Sequence, residues 1–185
     1  ERIKQGYSGK SISKEIRIQK TKKNKKIDEY IINEFGENAF NPISDIDRPF
    51  TPEELKIFSR EKLVHIGKHC IDHEILTNYS FSEVKVIIEN SQKALKSLTG
   101  KHPMIISYPN GNYSNDVILA SEQNKLLKLG ITTVEKKNYF PLFAKNKDKF
   151  LLKRFLIWGN KDIKLQTELM RSDIHLIKSF KNILR

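Results

Sequence analysis

From Ser80 to Val134 the chain alternates helix-like and strand-like segments, and no other feature limits its fold as much. Ser80-Phe81-Ser82-Glu83 has the form of an N-cap and capping box. Phe81, Val84, Ile88, Ser91, Leu95 and Leu98 then share one helical stripe, and Gly100 supplies a stop. Residues 103–108 (PMIISY) read as a strand and 109–116 (PNGNYSND) as a turn. Val117 to Leu129 reads as a helix ended by Gly130, and 131–134 (ITTV) as a further strand. Strands alternating with helices predict an α/β chain with a parallel sheet or barrel. In such folds the chemistry sits at the C-terminal ends of the strands.

The same pattern extends both ways. Thr51-Pro52-Glu53-Glu54 offers an N-cap, a first-turn proline and a capping-box glutamate, so a short helix should run to about Arg60. LVHIG (63–67) reads as a buried strand, FLLKRFLIW (150–158) as a last strand, and 161–184 as a closing helix. Residues 36–50, with glycine, two prolines and several Asp and Asn, read as loop. Two domains follow: a basic, mainly helical segment over 1–50 and a β/α domain over 51–185. In the first, Ile12, Ile16, Ile27, Ile31 and Ile32 suggest helix on either side of KTKKNKK (20–26).

A chain of 185 residues that is 38% hydrophobic, with ten Phe and six Tyr, can bury one core. No apolar run reaches the length needed to cross a bilayer. The chain starts at Glu1 with no leader, which suggests a cut from a longer precursor and leaves cell envelope, periplasm and cytoplasm all open. Its net charge of +12 admits two readings: attraction to nucleic acid, anionic glycan or membrane, or a solvated lysine coat. No nucleic-acid motif accompanies the charge, and the 20–26 run carries no interleaved aromatics, so no nucleic-acid partner is expected. The single cysteine, Cys70, excludes an internal disulfide and a cysteine-based zinc knuckle.

HIGKHCIDHEIL (65–76) places His69 and His73 four residues apart just beyond the 63–67 strand. Neutral imidazoles suit zinc, nickel or cobalt, and two from one short segment can share an ion. They can equally stand on a surface and bind nothing. The zinc-protease motif is excluded, because Cys70 stands where that motif needs glutamate. Cys70 could compete for soft metal as a thiolate or act as a small buried filler. Asp72 could orient a histidine, a common supporting arrangement. His65 occupies a strand position and His102 precedes Pro103 at a strand entrance; Trp158 could stack on a sugar ring, with the core as the default expectation.

Four segments in order resemble the polysaccharide deacetylase (NodB-homology) family. They are LVHIGKHCIDHEILTN, the helix SFSEVKVIIENSQKALKSLTGK, ISYPNGNYSNDV, and the pair LKLGITTV and LLKRFLIW, spanning roughly 51–158. The resemblance implies a partial or distorted (β/α) barrel lacking its first strands, and a metal-dependent hydrolase that removes acetyl groups from a glycan. By position, His69 and His73 become metal ligands, with zinc foremost and nickel, cobalt or manganese as alternatives. The backbone N–H of Asn110 becomes an oxyanion donor, and Tyr108, Pro109 and Gly111 shape the substrate groove. The family's late general-acid histidine has no clear counterpart, and His175 is the only downstream candidate for it.

Several family features lack a counterpart. The Thr-Phe-Asp-Asp-Gly-type motif, which supplies the base and a third ligand, matches nothing in residues 1–64; Asp45-Ile46-Asp47 is a weak substitute, and strands upstream of Glu1 are the simpler expectation. Ser107 stands in place of an arginine and Asn110 in place of an aromatic. The alternatives are a catalytically inactive relative that binds glycan or a partner, and a basic nucleic-acid-binding domain. A barrel without its opening strands would expose a sheet edge, so a homodimer or a rearranged N-terminal region is expected.

Overall fold

Two capping boxes set the frame of this computed structural model, which describes residues 2–46, 48–139 and 149–171. Thr51 accepts from the Glu54 N–H while Glu54 reaches back to the Thr51 N–H, starting α3, Pro52–Phe58. Ser80 and Glu83 repeat the device for α4, Phe81–Thr99, which ends on Gly100 in the left-handed region at φ 75°. The expected stripe buries at its centre, on Val84, Ile88 and Ser91, while Leu98 at its end is exposed. Upstream lie α1, Gly9–Gln19, and α2, Asn24–Phe35; downstream lie α5, Asn115–Gln123, and α6, Ile163–Arg171.

The sheet is parallel and ordered as in the sequence. β1, Ile105–Ser107, pairs with β2, Leu129–Ile131, with Ile106 opposite Gly130. Single parallel bridges add Lys68 beside Ile106 and Leu152 beside Ile131. Four successive chain segments therefore lie side by side, the order of a β/α barrel, and no barrel closes among the described residues. The core lies between this sheet and two helices: Val84 and Ile88 from α4 and Val117, Ile118 and Ala120 from α5 meet Ile106, Tyr108 and Phe150. Fully burying an aliphatic side chain of this kind contributes about 1.5–3 kcal/mol.

Three expected elements differ in register. The 63–67 strand contracts to the bridge at Lys68, and Leu63 stays exposed. α5 ends at Gln123, because the Asn124 side chain accepts from the N–H groups of Leu126 and Leu127 and turns the chain. Gly130 is thus a strand residue rather than a helix stop. The 150–158 strand is reduced to the bridge at Leu152; Trp158 is 54% exposed rather than in the core, its backbone tied to the Gln166 side chain. The stretch of the closing helix beyond Arg171 lies outside the described residues.

Lys68 is the unexpected core residue. It is 2% exposed, and its ammonium donates to the Ile88 carbonyl and to Gln92 Oε1, both at 2.9 Å. Burial pushes its pKa from the ordinary 10.5 down to about 8. Because the folded state releases this proton first, the penalty is complete below pH 8 and lifts as pH rises toward 10.5. Denaturant titrations should therefore show wild-type stability gaining about 3 kcal/mol over that window relative to Lys68→Met. Parallel pH dependence in the two proteins would show that Lys68 does not carry the effect.

The N-terminal segment is a helical hairpin. Arg2 clamps it, pairing with Glu15 of α1 at 2.8 Å and Glu34 of α2 at 2.9 Å, with its guanidinium over the Tyr7 and Phe35 rings. The bend between the helices, 20–24, docks on the β/α region. Asn78 Nδ2 donates to the Lys20 and Lys22 carbonyls, the Asn24 N–H donates to Tyr79 Oη, and Lys23 pairs with Glu83 at 2.6 Å. Lys20 and Lys22 through their carbonyls and Lys23 through its ammonium thus help hold the hairpin against residues 78–83.

Candidate metal centre

His69 and His73 lie just past the Lys68 bridge, at the C-terminal edge of the sheet. Their rings approach edge-on, with centroids 4.7 Å apart at 72°. Two imidazoles sharing one ion at Zn–N distances of about 2.0–2.1 Å bring their rings about 5 Å apart, so the pair fits a common cation. His69 Nδ1 lies 2.7 Å from the Ser107 carbonyl. A carbonyl only accepts, so Nδ1 carries the proton and the lone pair is left on Nε2, facing away from the strand contact.

His73 is exposed, and its surroundings favour the neutral ring. Partial desolvation first, then the neighbouring His69 and Lys20 charges, lower its pKa below the ordinary 6.5. The loop between the histidines is strained: the only non-glycine residues with positive φ among those described are Cys70 at 64°, His73 at 53° and Asn110 at 58°. All three belong to this one corner of the molecule, where backbone conformations of this kind commonly accompany function.

Cys70 faces the core, packing against it, and burial pushes its thiol up to about 12. Its packing against the core fits the reading of a small buried filler. Asp72 is exposed. Its carbonyl accepts from Asn24 Nδ2 and its N–H donates to Glu74 Oε2, and the role of orienting His69 falls to the Ser107 carbonyl. That partner has no side-chain signature, so spacing in the sequence could not reveal it.

The 109–111 turn stands beside the histidines. Tyr108 and Pro109, expected along the groove, are buried: Tyr108 is 1% exposed, donates to the Phe150 carbonyl at 2.9 Å, and has its pKa raised by that burial. Asn110 is the exposed member of the turn, and its N–H makes no backbone hydrogen bond among the described residues. Its Oδ1 accepts from Lys20 Nζ at 2.7 Å, bringing the N-terminal hairpin to the site. Gly111, at φ 77°, is required, since a Cβ there would overlap Thr133 Oγ1. His65 is exposed on the strand approach and His102 is exposed before Pro103. Asp45 pairs with Arg48 at 2.5 Å, while Asp47 and His175 lie outside the described residues. No third His, Cys, Asp or Glu joins the pair among the described residues, so the fit covers two coordination positions.

The fold is a parallel β/α sheet with two histidines at its C-terminal edge, and comparison makes the family plain. The polysaccharide deacetylase family profile matches residues 20–130, and the chain belongs to that family. Its fold is similar to a Streptococcus pyogenes deacetylase, PplD, solved in complex with acetate: TM-score 0.56, 20% identity, covering 67% of this chain and 52% of that one. It is also similar to a polysaccharide deacetylase from Bacillus cereus, with TM-score 0.58 and 15% identity, covering 76% of this chain and 46% of that one. The chain thus spans about half the length of these solved structures. No match is found among curated proteins. Among the described residues no helix is long and apolar enough to cross a membrane.

Proposed function

We propose that His69 and His73 hold a divalent cation, zinc foremost, and that the chain carries a portion of a centre that hydrolyses acetyl groups from an N- or O-acetylated glycan. The observation that supports this most is the commitment of His69 Nδ1 to the Ser107 carbonyl, which leaves Nε2 for a ligand beside the His73 ring. Family membership supports the reaction class. When bound, such a cation polarises the acetyl carbonyl and lowers the pKa of a water from 15.7 toward ~7.

The chain's own residues have distinct roles. The Ser107 carbonyl fixes the His69 tautomer, and partial desolvation favours the neutral form of His73. Asn110 offers an N–H with no backbone acceptor to the oxygen that gains charge as the acetyl group is attacked. A well-placed donor of this type is worth roughly 3 kcal/mol. Gly111 keeps the turn in the conformation that leaves this N–H free. His175 remains the proposed acid, and the base is not assigned to any described residue.

Acetate release from an N-acetylated oligosaccharide, with zinc supplied, tests the reading. The expected result is release that falls at least a hundredfold in His73→Ala. Glycan binding with no release from the zinc-loaded wild-type protein would replace it with the inactive, glycan-binding relative.

A further inference from the structure

One face of α1 forms an open groove of about 660 Å³ that the deacetylase reading does not use. Lys10, Lys14 and Arg17 line it, with Ser11 between the two lysines, Ser8 ahead of them, and Ile18 and Thr21 beyond Arg17. Spacings of four and three residues place the three cations along one face, spanning roughly 10 Å at a rise of 1.5 Å per residue. No acidic residue lines the groove. The one carboxylate of α1, Glu15, is held by Arg2 and by the Tyr30 hydroxyl. Lys10 and Lys14 have no ion-pair partner among the described residues, and Arg17 spends only its Nε–H, on the Ser13 carbonyl. The groove ends at Thr21, directly after Lys20, whose ammonium touches Asn110 at the candidate centre.

We propose that this groove binds the substrate's chain and selects an anionic glycan, one carrying carboxylates along its backbone, with Lys20 as the last cation before the histidines. The inference rests on the deacetylase reading for the reaction and adds the substrate class. Charge complementarity supports it: a row of unpaired cations leads to the site. The Ser11 and Thr21 hydroxyls donate to backbone carbonyls and keep lone pairs that can accept from a sugar hydroxyl. Lys10, Lys14 and Arg17 lie before the residues the family profile matches, 20–130.

The test uses two oligosaccharides of equal length: N-acetylglucosamine alone, and N-acetylglucosamine alternating with a uronic acid. Affinity is measured by calorimetry, and acetate release is followed in the same samples. The wild-type protein should bind the uronic-acid oligosaccharide at least tenfold more tightly, with the difference shrinking as salt rises. The triple variant Lys10→Gln, Lys14→Gln, Arg17→Gln should erase the preference and leave affinity for the neutral sugar unchanged. Lys10→Arg with Lys14→Arg should keep it, which separates lost charge from lost folding. Equal affinity for the two sugars, or an unaffected triple variant, overturns the proposal. So does displacement of the uronic-acid oligosaccharide by a single-stranded oligonucleotide of equal charge at lower concentration. Selective binding without acetate release leaves the groove standing and removes the deacetylase reading; acetate release without selectivity does the reverse.

Discussion

Zinc titrated into the protein should bind one-to-one, and His73→Ala should weaken that binding at least tenfold, as should His69→Ala. The two ring centroids lie 4.7 Å apart, and each neutral ring offers one donor nitrogen. The two losses should not add, because either variant dissolves the pair. His69 is pre-oriented by the Ser107 carbonyl, so the free protein should already show its imidazole proton on Nδ1 by nitrogen NMR. The pH dependence has a definite sign. A His73 pKa below 6.5 means the neutral, ligand-ready ring persists below that pH, and protons displace the ion from it only at lower pH. Calorimetry in which His73→Ala binds zinc as tightly as the wild type would place the ion elsewhere and sink the paired site.

Gly130→Ala should destabilise the protein by about 3 kcal/mol or more in denaturant titration, a large effect for the addition of one methyl group. A Cβ on Gly130 would stand 2.5 Å from Tyr108 Oη, 2.7 Å from the Phe150 carbonyl oxygen and 2.9 Å from Phe150 Cα. Two of these neighbours are backbone, and the third is a phenol pinned to that same carbonyl. The strand cannot retreat either. Gly130 pairs with Ile106 on one side, and its carbonyl accepts from the Leu152 N–H on the other. The methyl group must therefore displace Tyr108 or push neighbouring strands apart, and Tyr108 leads directly into the Asn110 turn. Gly159→Ala, with nothing within 4 Å of its Cβ position, is the matched control and should change stability by about 0.5 kcal/mol or less. Equal effects at the two glycines would show that close approach is not the reason for Gly130.

The reach of the sequence differed sharply between elements. Helix starts at Thr51 and Ser80 and the stop at Gly100 were legible, because a cap is a contact between residues three or four apart. The parallel α/β class followed from the alternation of those helices with short apolar runs, and the histidine pair from its spacing and neighbours. Gly130 misled: a glycine after a helical run reads locally as a stop, yet it is kept for a close approach to Tyr108 and Phe150. Lys68 was unremarkable in sequence and is buried, since its partners, Ile88 and Gln92, lie on α4. The orientation of His69 rests on a backbone carbonyl 38 residues away, and the placement of Lys20 beside Asn110 on a contact across 90 residues. By itself, then, the sequence determined the capped helix starts, the parallel α/β class, the family and the spacing of the two histidines. The tertiary structure decided which side chains are buried, which tautomer His69 holds and which lysines reach the site, because those depend on contacts between distant segments that no local pattern encodes.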